Sequence, residues 1–252
     1  MMKVIHSISE MKLQRSHFQS GSVGFVPTMG ALHAGHAELL KASKKQNDFT
    51  ILSIFVNPTQ FNNTQDYEKY PLTLEQDTKI AQDFGVDCLW LPNYNDLYPD
   101  NYRFKVSENT FSKKLCGAHR PGHFDGVLSV VMKLLNATRP HRAYFGEKDY
   151  QQLTLIKDMV RSFFMEVEIV PVPTVREASG LAMSSRNLRL STAEVNKAAQ
   201  IYETIKNSNS AKAAQEILIQ LGFKVDYVED IEGRRFVAAF LNEVRLIDNV
   251  KI

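Results

Sequence analysis

Short apolar runs alternate with amphipathic stretches through the first 170 or so residues. Val23 to Val26, Thr50 to Val56, Asp87 to Leu91, Ala143 to Phe145 and Glu168 to Val172 are short and apolar, with many β-branched side chains, and predict strands. Ala37 to Gln46, Leu74 to Phe84, Val127 to Asn136 and Tyr150 to Phe164 carry helical periodicity. Gly85 stands where a helix C-terminus needs a left-handed residue. Strands separated by helices predict a Rossmann-like α/β fold, a parallel sheet with helices on both faces. In such sheets ligands bind beyond the carboxyl ends of the strands, so the loops after Val26, Val56 and Phe145 are where chemistry is expected.

The pattern changes after about Val175. Helix-like Thr192 to Lys206 and Ala211 to Leu221 flank the loop Asn207-Ser208-Asn209-Ser210. Phe223 to Val228, Phe236 to Phe240 and Glu243 to Ile247 then follow as strands without intervening helices. This predicts a Rossmann-like domain over residues 1–174 and a smaller α+β C-terminal domain with an antiparallel sheet over 175–252. No internal repeat or low-complexity segment is visible.

Composition narrows the class. Hydrophobic residues at 44% and charged residues at 23% suit a packed globular chain and exclude a disordered one. A formal charge of +2 argues against a chain whose work is coating nucleic acid, while leaving room for a local anion pocket. Cys88 and Cys116 are too few for a disulfide framework or a four-cysteine zinc site, and Cys88 reads as core packing. Met1 to Ser9 lacks a secretory core, and no apolar run approaches the ~20 residues of a membrane span. A soluble cytoplasmic protein, bound to neither membrane nor nucleic acid, is expected.

Four motifs carry candidate chemistry. Pro27-Thr28-Met29-Gly30-Ala31-Leu32-His33-Ala34-Gly35-His36 follows a strand and opens a helix, and contains His-x-Gly-His. A helix entrance offers unpaired N–H groups to a phosphate, and two imidazoles three residues apart can donate to charge growing there. The spacing is not that of a His-Glu-x-x-His zinc site, and no Gly-Lys-Ser/Thr follows to make a P-loop. Asn57 and Gln60 stand around a Pro turn after a buried strand, where amides can grip a hydroxyl or carboxylate, although Asn-Pro is also ordinary turn chemistry. Gly146-Glu147-Lys148-Asp149-Tyr150-Gln151-Gln152 opens a helix; Lys148 can hold a phosphate, and Asp149 can serve instead as an N-cap. Met183-Ser184-Ser185-Arg186 is a hydroxyl-rich loop at the domain junction, suited to wrapping a triphosphate, or alternatively a polar linker.

Taken together these blocks resemble the nucleotidyl-transferring superfamily shared with class I aminoacyl-tRNA synthetases. More narrowly, Pro27 to His33, Phe55-Val56-Asn57-Pro58, Arg120-Pro121-Gly122-His123-Phe124, Phe145 to Gln152 and Met183 to Asn187 resemble, in order, the pantoate–β-alanine ligase family. The blocks lie within residues 23–190, and the last 60 or so residues match only loosely. The family condenses (R)-pantoate with β-alanine: pantoate's carboxylate attacks the α-phosphorus of ATP, and the amine then displaces AMP from pantoyl adenylate.

The resemblance implies that Met29, Gly30, Ala31, Leu32, His33, Ala34, Gly35 and His36 contact ATP, with His33 and His36 on the phosphates and His36 as proton donor or charge stabiliser. It implies further that Gly146, Glu147, Lys148, Asp149 and Val175 bind the nucleotide, and that Met183, Ser184, Ser185 and Arg186 close over it. His33, His36, Lys148 and Arg186 form the expected catalytic set. Gln60 and Gln152 would hold pantoate, Gln60 also facing β-alanine, and Asp77 would help to hold Mg²⁺. A homodimer is implied as well. Arg120 and His123 lie in a matching block without an assigned role. The chain departs from the family at Leu72, where Arg is common, at Thr59, where Met is common, and in a shorter C-terminal region. An adenylyl transferase acting on a nucleotide or phosphoester would need a cationic acceptor pocket, whereas positions 60 and 152 supply neutral amides. A tRNA ligase is disfavoured by length, and a dead nucleotide sensor by the retained His33, His36, Lys148 and Arg186.

Overall fold

Six of the nine strands among the described residues form one parallel sheet, the five that the alternation predicts and one more at its edge. The computed structural model describes residues 1–18 and 20–252. In chain order the large sheet region comprises β1 (Lys3–Ile5), α1 (Ile8–His17), β2 (Val23–Thr28), α2 (Ala34–Gln46), β3 (Phe49–Ile54), α3 (Thr64–Glu68), α4 (Leu74–Asp83), β4 (Cys88–Trp90), α5 (Tyr94–Leu97), α6 (Cys116–His119), α7 (His123–Thr138), β5 (Arg142–Gly146), α8 (Tyr150–Ser162) and β6 (Glu168–Val172). The strand order is β1-β4-β3-β2-β5-β6. The chain winds outward from β2 to one edge and returns to β5 on the other side of β2. That reversal opens a crevice at the carboxyl ends of β2 and β5.

Alternation along each strand explains why the runs are apolar throughout. Phe25, Ile51, Trp90, Ala143 and Phe145 point into a core shared with Met11 of α1, Val127 and Leu134 of α7 and Leu153 and Ile156 of α8. Their neighbours Val26, Leu52, Leu89 and Tyr144 point the other way, onto Leu39 and Leu40 of α2 and Ala81 of α4. Both faces are covered, so polar strand positions are few; Thr50 of β3 shares its hydroxyl with Ser43 of α2 at 2.7 Å. Cys88 is fully buried in β4, and its thiol pKa is pushed up to about 12 by burial, in keeping with a packing role.

The C-terminal region comprises α9 (Thr192–Asn207), α10 (Ala211–Gln220) and the antiparallel strands β7 (Lys224–Ile231), β8 (Arg234–Leu241) and β9 (Val244–Lys251). Val237 and Ala239 of β8 face α9 and α10, packing with Ala198, Ile201 and Leu218. Phe236 and Ala238, on the opposite face, join the core of the large sheet. The three-stranded sheet is therefore packed on both sides, and one of those sides faces the crevice.

Expected elements appear with shifted ends. The helix expected from Ala37 begins at Ala34, because the His33 side chain caps it. The strands β1, β7, β8 and β9 extend beyond or outside the expected runs, and α1 with its Ser7–Glu10 capping box was not anticipated. No helix among the described residues is long and apolar enough to cross a membrane.

Candidate active site

β2 ends at Thr28, and Gly30 (φ +83°) and Ala31 (φ +50°) turn the chain left-handed before α2 starts. The turn is held from below. Asp77, on the first part of α4 and only 1% exposed, accepts from the backbone N–H of Ala31 at 2.9 Å and of Leu32 at 2.7 Å. Both carboxylate oxygens are thus occupied, and Asp77 does not line the cavity in front of the loop. Asp77, expected at Mg²⁺, stands in this structure as a buried bracket under the turn. Among the described residues no three His, Cys, Asp or Glu side chains gather as a metal site. The same bonds change the expectation for Ala31 and Leu32, whose N–H groups serve the fold and are not free for a phosphate.

The imidazoles take that place. His33 Nδ1 accepts from the N–H of Gly35 at 3.1 Å, and His36 Nδ1 accepts from the N–H of His33 at 3.3 Å. A nitrogen that accepts is unprotonated, so each neutral ring carries its hydrogen on Nε2. The rings lie 4.1 Å apart at their centroids and line the cavity together. Burial lowers the pKa of His33 to about 4 and of His36 to about 3, helped by Lys148 for both and by His33 for His36. At neutral pH both are uncharged Nε2–H donors facing one space.

That cavity has a volume of ≈ 800 Å³ and is walled by β2, the segment that follows β3, α7, β5, the start of α8, the 183–189 loop and the C-terminal sheet. Met29, Gln60, Gly146, Lys148, Asp149, Gln152, Val175, Met183, Ser184, Ser185 and Arg186 all line it, as the sequence reading expects. Gly30, Ala31, Leu32, Ala34 and Glu147 do not. Asp149 stands at the N-cap of α8 without a side-chain cap bond, so the alternative capping role is not realised; its carboxylate lies 3.7 Å from Lys148 Nζ. The 147–149 turn is pinned from the C-terminal sheet, where Asn249 Nδ2 donates to the carbonyls of Glu147 at 3.0 Å and Lys148 at 2.8 Å. Val175 and Met183 meet through their backbones, the Met183 N–H donating to the Val175 carbonyl at 3.0 Å.

Gln60 is oriented by a network. Asn57 Nδ2 donates to Gln60 Oε1 at 3.0 Å and to the Gly126 carbonyl at 3.2 Å, while Asn57 Oδ1 accepts from Tyr98 Oη at 2.9 Å and Thr59 Oγ1 at 3.0 Å. With Oε1 occupied, the Gln60 amide presents its NH₂, which reaches Met29 Sδ at 3.2 Å. Asn57 is 1% exposed and grips Gln60 rather than a ligand. Thr59 supplies a hydroxyl to this network in place of the family's apolar side chain. Gln151 is likewise structural, bonded to the backbone of Phe111, Lys114 and Cys116. Arg186 is met by Asp66 of α3 at 2.8 Å, and Arg189 by the same carboxylate at 3.1 Å. Sequence reading missed Asp66, Asn249 and the Arg120–His123 grip on the Gln60 carbonyl, because each acts across 60 or more residues of chain.

A doubly wound parallel sheet, a His-x-Gly-His helix entrance and a large polar crevice at the strand reversal define an α/β nucleotidyltransferase-like protein. Residues 3–251 match the model of the family described as pantoate-beta-alanine ligase. The chain is 63% identical over 252 residues to the pantothenate synthetase of Bdellovibrio bacteriovorus, covering 100% of both. It superposes with a TM-score of 0.95 on a crystal structure of pantoate-beta-alanine ligase from Francisella tularensis complexed with beta-gamma ATP and beta-alanine, at 42% identity, covering 100% of this chain and 98% of the other. Against pantothenate synthetase from Thermus thermophilus the TM-score is 0.92 at 38% identity, covering 99% of each. The chain belongs to the pantoate–β-alanine ligase family and is a ligase. The shortened C-terminal region expected from sequence is not seen against these relatives, whose lengths it matches.

Proposed function

We propose that this chain condenses (R)-pantoate with β-alanine at the expense of ATP, through pantoyl adenylate, and releases AMP and pyrophosphate, as a step of pantothenate and coenzyme A formation. The observation that carries the reading is the pair of neutral Nε2–H donors of His33 and His36 facing the same cavity as the amides of Gln60 and Gln152.

An oxygen of pantoate's carboxylate attacks the α-phosphorus, and the bond to the α,β-bridging oxygen breaks with its electrons leaving on pyrophosphate. Negative charge grows on the phosphoryl oxygens, where His33 and His36 donate hydrogen bonds and Lys148 and Arg186 supply positive charge. The neutral imidazoles can do this because Nδ1 of each ring is occupied as an acceptor, which leaves the hydrogen on Nε2. Gln60 and Gln152 hold pantoate's hydroxyls, Gln60 through the NH₂ that Asn57 turns toward the cavity. In the second step the free amine of β-alanine attacks the acyl carbon. The tetrahedral anion collapses, the carbon–oxygen bond to AMP breaks, and the amine's proton passes to phosphate or solvent.

Mg²⁺ in this reading travels with ATP, held by phosphate oxygens and water, in keeping with the lack of a protein cage among the described residues. We put the domain junction at residues 174/175, between β6 and the bridge Arg176–Ala182, with the C-terminal part closing over the cavity. We further propose a homodimer and a cytoplasmic location, which the unpaired Cys88 and Cys116 suit.

The decisive measurement is pantoate-dependent exchange of pyrophosphate into ATP without β-alanine, followed by AMP release when β-alanine is added. ADP as the product, or exchange that does not need pantoate, overturns the reading.

A further inference from the structure

Among the described residues four arginines line the cavity: Arg120, Arg186, Arg189 and Arg245. Three have a carboxylate partner, Asp66 for Arg186 and Arg189 and Asp226, at 2.8 Å, for Arg245. Arg120 has none among the described residues. Its Nη2 donates to the backbone carbonyl of Gln60 at 3.1 Å, and its Nη1 lies 3.1 Å from His123 Nε2. A guanidinium can only donate, so His123 Nε2 accepts, and His123 Nδ1–H then donates to the same Gln60 carbonyl at 2.8 Å. The imidazole is thereby neutral and fully used. Arg120 has two neutral partners, keeps three of its five N–H donors uncommitted, and stands near two further guanidinium groups. Burial and the proximity of Arg186 lower its pKa to about 10. Asp66, committed to Arg186 and Arg189, acts on Arg120 only at a distance, and a cation withdrawn from water with no anion in contact is costly, so a ligand anion relieves it.

We propose that Arg120 binds the carboxylate of the amino-acid acceptor and measures the distance from that carboxylate to the attacking amine. The inference rests on the ligase reading above and adds to it the residue that holds the second substrate. Pantoate's carboxylate is a poor match for Arg120: it must offer a lone pair to phosphorus, and it loses its charge on adenylation. The acceptor's carboxylate stays ionised from binding to product. The geometry also joins both ends of the reaction to one residue. Gln60 presents its side-chain NH₂ to the pantoyl group while its main-chain carbonyl anchors Arg120. In β-alanine the carboxylate carbon and the amine nitrogen are separated by two methylenes, roughly 4 Å when extended by standard bond lengths. Glycine falls short of that span and 4-aminobutyrate exceeds it, so a fixed guanidinium discriminates by length.

The test compares β-alanine with propylamine, which keeps the amine and lacks the carboxylate, in wild type and in Arg120→Gln. Pantoate-dependent pyrophosphate exchange is measured alongside. Wild type should prefer β-alanine strongly. In the variant, kcat/KM for β-alanine should fall by about 100-fold or more beyond any loss of exchange, the scale of removing one partner from a buried charge pair, with the loss mostly in KM. Propylamine should fall no further than exchange does. Wild-type indifference between the two amines overturns the proposal, as does a preference for β-alanine that survives in Arg120→Gln, or a loss that appears in the KM for pantoate instead. If Arg120→Gln does not fold, Arg120→Lys replaces it; Lys should keep part of the preference, and the same outcomes apply. Absence of exchange in wild type would refute the ligase reading itself and is read separately.

Discussion

The carboxylate of Asp77 lies 2.7 Å from the backbone nitrogen of Leu32, 45 residues earlier in the chain, and holds the turn on which His33 and His36 stand. A second bond to Ala31 completes the bracket. Replacing Asp77 by Ala leaves two N–H groups of a buried turn without an acceptor, and should cost about 2–4 kcal/mol of stability, the range for charge-assisted bonds lost in a buried site. Thermal melting reads that loss. Asp77→Asn, which keeps the volume and one acceptor oxygen, should lose less. In either variant that folds, the Mg²⁺ concentration giving half-maximal rate should stay where it is in wild type. A shift of tenfold or more would return Asp77 to the metal.

His36→Ala should lower the rate of pyrophosphate exchange by about 10²-fold, the scale of removing one donor from a developing oxyanion. His36→Asn, which can place an N–H near the lost Nε2, should recover part of it. Because both rings remain neutral in the free protein down to pH about 4 and about 3, kcat/KM for ATP should show no inflection near pH 6.5 arising from His33 or His36. A bell whose acid limb disappears in His36→Asn would contradict this.

The same lowered pKa values make stability pH-dependent. In the unfolded chain each imidazole binds a proton near pH 6.5, as for model compounds. In the folded chain His33 waits until about 4, and His36 and His123 until about 3. Between those limits the unfolded state holds more protons, so stability is greatest above pH 6.5 and falls as the pH drops. The carboxylates Glu10 and Glu108, lowered to about 2, add their own loss only below their ordinary range near pH 4.5. Urea midpoints from pH 7 to 5 should therefore decline with an uptake approaching three protons on unfolding, and His123→Gln should reduce that uptake by about one. An unchanged slope in the variant would mean that His123 titrates normally.

Gly126 of α7 touches the turn that carries Gln60. A Cβ at Gly126 would lie 2.4 Å from the Thr59 carbonyl oxygen and 2.8 Å from Gln60 Cα, and both neighbours are backbone. Gly126→Ala should therefore displace Gln60, costing about 1–3 kcal/mol as overpacking does. Its KM for pantoate should rise more than its KM for ATP, since His33 and Lys148 stand on other elements. An equal effect on both substrates would argue for general loosening.

Periodicity and punctuation were enough for the strand–helix alternation, the parallel sheet and the change of character after Val175, because those depend on residues a few positions apart. The motif order placed His33, His36, Lys148, Gln60, Gln152 and the 183–186 loop on one site, and the fold brings all of them to one cavity. What sequence alone leaves open are roles decided by distant partners. Asp77, which the resemblance puts at Mg²⁺, is buried under the glycine turn, and Asn57, readable as a ligand amide or as ordinary turn chemistry, is bonded to Gln60. Asn249, Asp66 and the lone guanidinium of Arg120 gain their meaning from groups 60 to 120 residues away, whose approach is set by packing of the two sheets and the helices between them. Local pattern determines which elements form. Which polar groups are left free to meet a substrate depends on which are consumed by tertiary hydrogen bonds, and only the folded chain decides that.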